Sequence, residues 1–153
     1  MSAFTEDMTA IAPRMGLETK YYPITDVNEA SRVMQRLRDD GMDIAYVVET
    51  PILQGPHVAQ MASAVAASGM PAIGGGTSYC LNGASILCVG SNPDEVLQKA
   101  ARYVDRILKG TKPADLPVEQ PTKVDVTLNR KAAAAAGIAL PASLVQRADK
   151  VVD

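Results

Sequence analysis

The sequence predicts an α/β fold: a single three-layer lobe built on a mostly parallel sheet. Three observations lead there. Short apolar runs, IAYVV at 44–48, MPAIG at 70–74 and SILCVG at 85–90, alternate with longer stretches of helical periodicity. The first run is an uncharged apolar block, as expected of a parallel strand covered on both faces. With 153 residues, 47% hydrophobic and 21% charged, the chain can fill one core of ordinary size and not two.

Each element follows from local chemistry. Thr5 to Met15 reads as a helix closed by Gly16, and Glu18 to Ile24, with Tyr21 and Tyr22, as a strand. Asp26 or Asn28 can cap a helix whose Ala30, Val33, Met34 and Leu37 fall on one face, with Asp39, Asp40 and Gly41 ending it. Asp43 to Glu49 contains the first apolar strand. His57 to Ser68 is the next helix, MPAIG a brief strand, and Gly74 to Gly76 a flexible turn. Ser85 to Val89 is another strand. Ser91 or Asn92 then caps a helix opening at Pro93, whose packing stripe is Val96, Leu97, Ala100, Ala101, Val104, Ile107 and Leu108. TKPADLPVEQP carries three prolines in 11 residues and reads as an extended connector. Val124, Val126 and Leu128 alternate as in a half-buried strand, Lys131 to Ala136 is a short helix stopped by Gly137, and PASLVQRADKVV is a final helix. Residues 1–109 thus form an α/β region with a returning helix, and 110–153 a connector, return strand and terminal helices packed on the same domain.

Composition excludes several functions. With 4% aromatic residues, no tryptophan and a net charge of −2, the chain offers neither stacking platforms nor a cationic face for nucleic acid. No apolar stretch approaches the roughly 20 residues of a membrane span. MSAFTEDM lacks the basic and then apolar pattern of a secretory leader, which leaves a cytoplasmic chain or one without its processed leader. Cys80 and Cys88 read as two separate thiols, with a local disulfide the lesser alternative.

The candidate chemistry is that of binding. Gly74, Gly75 and Gly76, followed by Thr77 and Ser78, can bring backbone amides to a ligand, although they match neither the phosphate-loop nor the dinucleotide pattern. Tyr79 offers a ring and a hydroxyl as one pocket wall, with core packing its alternative role. Thr50 and Pro51 follow a strand at its carboxyl end, where open α/β sheets meet their ligands. Tyr46 is expected to pack. His57 is the only histidine, which excludes a multi-histidine metal site, and Asp39, Asp40 and Asp43 read as a solvated helix end. Arg102, Arg106, Lys109 and Lys112 suit the exposed end of a helix. No catalytic residue, metal or cofactor is assigned.

The last third carries a resemblance. YVDRILKGTKPADLPVEQPTK, followed by LNRKAAAAAGIALPASLVQRAD, resembles the C-terminal region of bacterial ABC transporter substrate-binding proteins of the TrpX-like family. GLETKYYPI, DIAYVV and MPAIG resemble the second lobe of that family in the expected succession. The resemblance implies a periplasmic-binding-protein type I-like lobe, in a family whose members have two lobes and about twice this length. The first lobe, the leader and the opening strand of the second lobe are then missing here. One departure concerns NGASILCVG, which keeps Gly90 but has Val89 where the family's tyrosine is expected; if that tyrosine borders the cleft, the aromatic wall and hydrogen bond behind an aromatic specificity are absent here.

What the resemblance implies for function is capture of a small organic solute, such as an amino acid, for delivery to an ABC permease outside the cytoplasmic membrane. The ligand-binding residues would be Thr50, Pro51, Gly74, Gly75, Gly76, Thr77, Ser78 and Tyr79, while Pro113, Pro117 and Pro121 would set the geometry of the lobe connection. The alternative is a homodimeric α/β interaction module without transport activity. A weaker third reading is an enzyme using Cys80 or Cys88 as nucleophile.

Overall fold

The first strand, β1 (Ala45–Val47), pairs in parallel with β2 (Ala72–Gly74), and β2 in parallel with β3 (Leu87–Ser91). The returning β4 (Val124–Asn129) is antiparallel to β3, and β5 (Lys150–Val152) is parallel to β4, giving a mostly parallel five-stranded sheet in the order β1-β2-β3-β4-β5. The computed structural model describes residues 3–53 and 55–153, with side chains from Glu6 onward.

Seven helices accompany the sheet among the described residues: α1 (Ala3–Ile11), α2 (Ala30–Asp39), α3 (His57–Ser68), α4 (Thr77–Leu81), α5 (Pro93–Leu108), α6 (Arg130–Ala135) and α7 (Ala142–Arg147). The core lies on one face of β1–β3. There Met34 and Leu37 of α2, Met61 and Val65 of α3, and Tyr79 and Cys80 of α4 close over Ala45, Val47 and Ala72. Side chains such as Met34 and Val65, each 1% exposed, each contribute roughly 2 kcal/mol by leaving water.

Local stops and caps match the sequence where they depend on single residues. The turn after α1 ends at Gly16 with φ 71°, and α3 ends at Gly69 with φ 65°, a left-handed conformation that costs glycine nothing. Asp26 accepts a hydrogen bond from the Asn28 amide, starting the turn that leads into α2. The Asn92 side chain accepts from the Glu95 amide at 2.9 Å and caps α5.

Several expectations give way to the structure. Glu18 to Ile24 forms no strand: β-favouring tyrosines need a neighbouring strand, and here the Tyr22 hydroxyl instead donates to Asp40 at 2.6 Å. β1 is covered on one face only, its burial alternating along Ala45–Val47, so Tyr46 is exposed. The supposed flexible turn runs directly into α4, and the final helix is shortened to α7 and followed by strand β5. Cys80 and Cys88 are bonded to each other, their Cα atoms 6.0 Å apart, which ties α4 to the start of β3. That bond, buried at both sulfurs, also removes the cysteine nucleophile.

The largest surprise is α5. Its amphipathic stripe is present as read, yet no residue of the helix is buried: Leu97 is 67% and Leu108 is 82% exposed. α5 and the proline connector instead make an arm that leaves the sheet at the end of β3 and returns as β4. The connector is fastened along the helix by Tyr103, whose hydroxyl donates to the Pro117 carbonyl, and by Lys99, which donates to the Gln120 carbonyl at 2.8 Å. At its base the Glu95 carboxylate accepts from the Thr122 amide (3.1 Å), the Thr122 hydroxyl (2.7 Å) and the Lys123 amide (2.9 Å), and pairs with Lys99 at 3.0 Å. These donors hold the Glu95 pKa down at about 2, the Thr122 hydroxyl and amide contributing most.

Candidate functional site

Because β1, β2 and β3 are mutually parallel, their carboxyl ends open on one edge of the sheet, and the loops that follow them meet there. After β1 the chain passes Glu49 and Thr50 into a single tight turn at Pro51–Leu53, closed by a 2.9 Å bond from the Leu53 amide to the Thr50 carbonyl. After β2 the Gly75 amide donates to the Val47 carbonyl at 2.9 Å, so this turn is bonded onto the end of β1.

Glycines make the close approach possible. A Cβ at Gly74 would stand 2.8 Å from the Tyr79 Cβ, one at Gly75 would stand 3.2 Å from the Glu49 amide nitrogen, and one at Gly76 would meet the Glu49 carboxylate at 2.7 Å. From the other side, a Cβ on Gly90 of β3 would stand 3.2 Å from the Gly75 carbonyl oxygen. Gly75, Gly76 and Gly90 thus form a floor with no side chains at the strand ends.

Near these strand ends lies a concavity of about 420 Å³ lined by Glu49, Gly55, Val58, Ser78 and Asn82. Of the residues expected to bind ligand, Ser78 lines it directly. Thr50 and Pro51 follow β1, Gly75 and Gly76 follow β2, and Thr77 opens α4; none of these lines the concavity, and Gly74 and Gly76 are buried. Tyr79 is no wall of this concavity: it is 0% exposed, and its hydroxyl donates to the Leu53 carbonyl at 2.6 Å, so it holds the turn after β1 from below. Burial and then the nearby Glu49 charge push its pKa up to about 12.

Glu49, Val58 and Asn82 were not among the sequence candidates. Glu49 adjoins Thr50 and was within reach of the same strand-end argument. Asn82 sits one helical turn beyond Ser78 and donates to its carbonyl at 2.8 Å, a relation that becomes visible once 77–81 is known to be helical. His57 opens α3 as an exposed residue.

A larger concavity of about 590 Å³, lined in part by Lys20, Tyr21, Tyr22, Arg32 and Arg36, lies beside α2. Its polar groups are engaged with protein: Arg32 pairs with Glu29 at 2.6 Å, and Arg36 lies 5.8 Å from the centre of the Tyr22 ring. The strand-end concavity is the better candidate because its carboxylate and hydroxyl lie where the topology collects loops. Among the described residues no group of three or more histidine, cysteine or acidic side chains is arranged to hold a metal, and no helix is long and apolar enough to cross a membrane.

A family model described as ABC transporter substrate binding protein matches residues 2–152. No match was found among curated proteins. Among solved structures, a conserved domain protein from Vibrio cholerae is similar with a TM-score of 0.85 at 23% identity, over 97% of this chain and 49% of that one. An ABC domain in complex with L-Trp from Streptococcus pneumoniae has a TM-score of 0.85 at 22% identity, over 97% and 50% of the two chains. A ligand-free, open substrate-binding protein with adhesive properties from Clostridium difficile has a TM-score of 0.65 at 19% identity, over 97% and 48%. The chain therefore spans about half the length of the solved structures it matches.

Proposed function

The chain belongs to the ABC transporter substrate binding protein family, and from that premise we propose that it is one lobe of a solute receptor that captures a small organic molecule, such as an amino acid, for an ABC permease. The observation that carries this is the family match over residues 2–152, nearly the whole chain. The concavity near the strand ends, lined by Glu49, Ser78 and Asn82 among others, supports the reading, and in it Thr50, Pro51, Gly74, Gly75, Gly76 and Thr77 would contribute from the neighbouring turns and the start of α4. The structural neighbour with L-Trp supports an amino-acid-like solute for this chain.

In this function the protein makes no bond. A solute is held between two lobes and dehydrated as they close, and the closed form is what the permease recognises. One lobe supplies part of the enclosing contacts, so its own affinity is weak. The family is generally extracytoplasmic, and a disulfide at Cys80–Cys88 suits an oxidising compartment.

The test is ligand-observed binding against a mixture of amino acids and small organic acids, on this chain and on the chain joined to a complementary first lobe. Selective binding by the two-lobe form is expected. Its absence there overturns the receptor reading.

A second reading, a homodimeric α/β module, is favoured by the exposed stripe of α5, which a second copy would also cover. Light scattering separates the two. A concentration-independent dimer that binds no solute supports the module.

A further inference from the structure

We propose that the concavity beside α2 binds an anion of the phosphomonoester class, at a site separate from the strand ends. The concavity measures about 590 Å³, and Lys20, Tyr21, Tyr22, Arg32, Arg36 and Asp40 supply its polar lining. It shares no residue with the strand-end concavity, and it gathers three cations against one carboxylate in a chain whose net charge is −2. A recess of that sign attracts an anion.

Contacts within the protein orient these cations and leave most of their donors over. A guanidinium carries five N–H donors. Arg32 gives one nitrogen to Glu29 at 2.6 Å, and Glu29 is itself held by the Thr25 amide at 3.1 Å and the Thr25 hydroxyl at 3.2 Å. The Arg36 guanidinium lies over the Tyr22 ring, 5.8 Å from its centre, and the Tyr22 hydroxyl donates to Asp40 at 2.6 Å. Stacking on a ring uses the charge of the guanidinium and none of its N–H groups. Among the described residues Arg36 makes no ion pair and no hydrogen bond, while Asp40, the one carboxylate of the lining, is taken up by Tyr22. Lys20 pairs with Glu18 at 3.9 Å between exposed side chains, a weak contact that an anion readily replaces. Arg32 and Arg36 stand four residues apart on α2 and repel each other. An anion shared by the two removes that repulsion.

The charge count sets the class of ligand. Three cations less the Asp40 carboxylate leave two positive charges, which a phosphomonoester, largely dianionic at about pH 7.5, matches and a carboxylate does not. Guanidinium forks also fit phosphate oxygens two at a time. The concavity is larger than a phosphate group, and Pro23, Val33 and the exposed Tyr21 ring offer apolar surface for the organic part.

The experiment titrates the isotope-labelled chain in phosphate-free buffer and follows backbone amides and arginine Nε–H groups by NMR. Its probes are phenyl phosphate, benzoate as the singly charged acid, and inorganic phosphate as the group without a ring. Phenyl phosphate is expected to shift the signals of Lys20, Tyr21, Tyr22, Arg32 and Arg36 and to bind roughly tenfold more tightly than benzoate. Inorganic phosphate is expected to shift the same arginine signals at lower affinity. Arg36→Gln and Arg32→Gln each weaken phenyl phosphate binding roughly fivefold or more, with unfolding midpoints within about 2 °C of the unaltered chain. Arg102→Gln, which removes an exposed cation from α5, leaves binding unchanged.

Equal affinity for benzoate, undiminished affinity in both α2 variants, an equal loss in Arg102→Gln, or shifts confined to other parts of the chain each overturn the proposal. Sedimentation with phosphatidylcholine vesicles, with and without phosphatidic acid, separates a lipid headgroup from a soluble ligand. Binding to the acidic vesicles without binding to phenyl phosphate assigns the cluster to a membrane surface and overturns the small-molecule site. Because the two concavities share no residue, each of these outcomes leaves the receptor reading as it stands.

Discussion

Tyr79→Phe separates the structural role of this tyrosine from a ligand-contact role. The substitution removes one oxygen and keeps the ring, so no cavity of consequence forms. What is lost is the 2.6 Å bond to the Leu53 carbonyl, which joins α4 to the turn Pro51–Leu53 at the rim of the candidate site. Tyr79 is 0% exposed and Leu53 is 6% exposed, so the orphaned carbonyl has little access to water. A buried acceptor left without its donor costs about 1–3 kcal/mol. For a chain of this size that lowers the thermal midpoint by about 3 to 10 °C. Urea unfolding is the assay, with the midpoint falling and the slope unchanged because the surface exposed on unfolding is the same. Amide exchange supplies the local readout: the Leu53 amide, bonded to the Thr50 carbonyl at 2.9 Å, should exchange faster once the turn is released. The phenol pKa of about 12 keeps the hydroxyl a donor throughout pH 6–9, so the effect is flat across that range. A stability change under about 0.5 kcal/mol with unaltered exchange at Leu53 would refute the reasoning.

Gly74→Ala places a Cβ 2.8 Å from the Tyr79 Cβ and 3.1 Å from the Cys88 Sγ, buried atoms that cannot swing away, and should destabilise by about 1–3 kcal/mol, whereas Gly76→Ala displaces only the end of the Glu49 side chain. Equal urea midpoints for the two variants would contradict this. The Glu95 pKa is depressed from 4.5 to about 2, so its contribution is complete above about pH 4.5 and is lost as pH falls through about 2. An NMR titration of the Glu95 carboxyl with a midpoint near 4.5 would show that it does not clamp the base of the arm. Reducing the Cys80–Cys88 disulfide, which closes a loop with a sequence separation of 8, should cost about 2–3 kcal/mol. Identical urea midpoints with and without a thiol reductant would count against the bond.

What was legible in the sequence depended on the range of the interaction involved. α3 was bounded correctly because Pro56 and Gly69 act within their own turn, and α5 because Asn92 and Pro93 signal its start. Glu18 to Ile24 failed because strand formation needs a partner that residue types do not reveal. α4, at five residues, is too short to show a period, and that concealed Asn82 as a companion of Ser78. The cysteine pairing depended on a distance between a helix and a strand, which eight intervening positions do not fix. The site itself was half legible. Strand-end topology pointed to Thr50, Pro51 and the glycine turn, whereas the burial of Tyr79 and the position of the Glu49 carboxylate over Gly76 arise only from packing.

The helix stripe and the strand-end rim are parts of one geometry. Gly90 touches the glycine turn, Ser91 ends β3, and Asn92 begins the arm, so α5 departs from the same edge of the sheet on which Glu49 and Ser78 lie. Leu97, Val104 and Leu108, at 67%, 56% and 82% exposed, repeat at the spacing of a helix seam and meet nothing within the described residues that buries them. Covering each contributes about 1–2 kcal/mol, several kcal/mol in sum, a large fraction of the net stability of a domain of this size. A partner that covered the stripe would gain this burial less the cost of association. The Glu95 contacts to Thr122 and Lys123 and the Asn92 bond to Asp125 join the base of the arm to β4, leaving the arm little freedom to swing away from the rim.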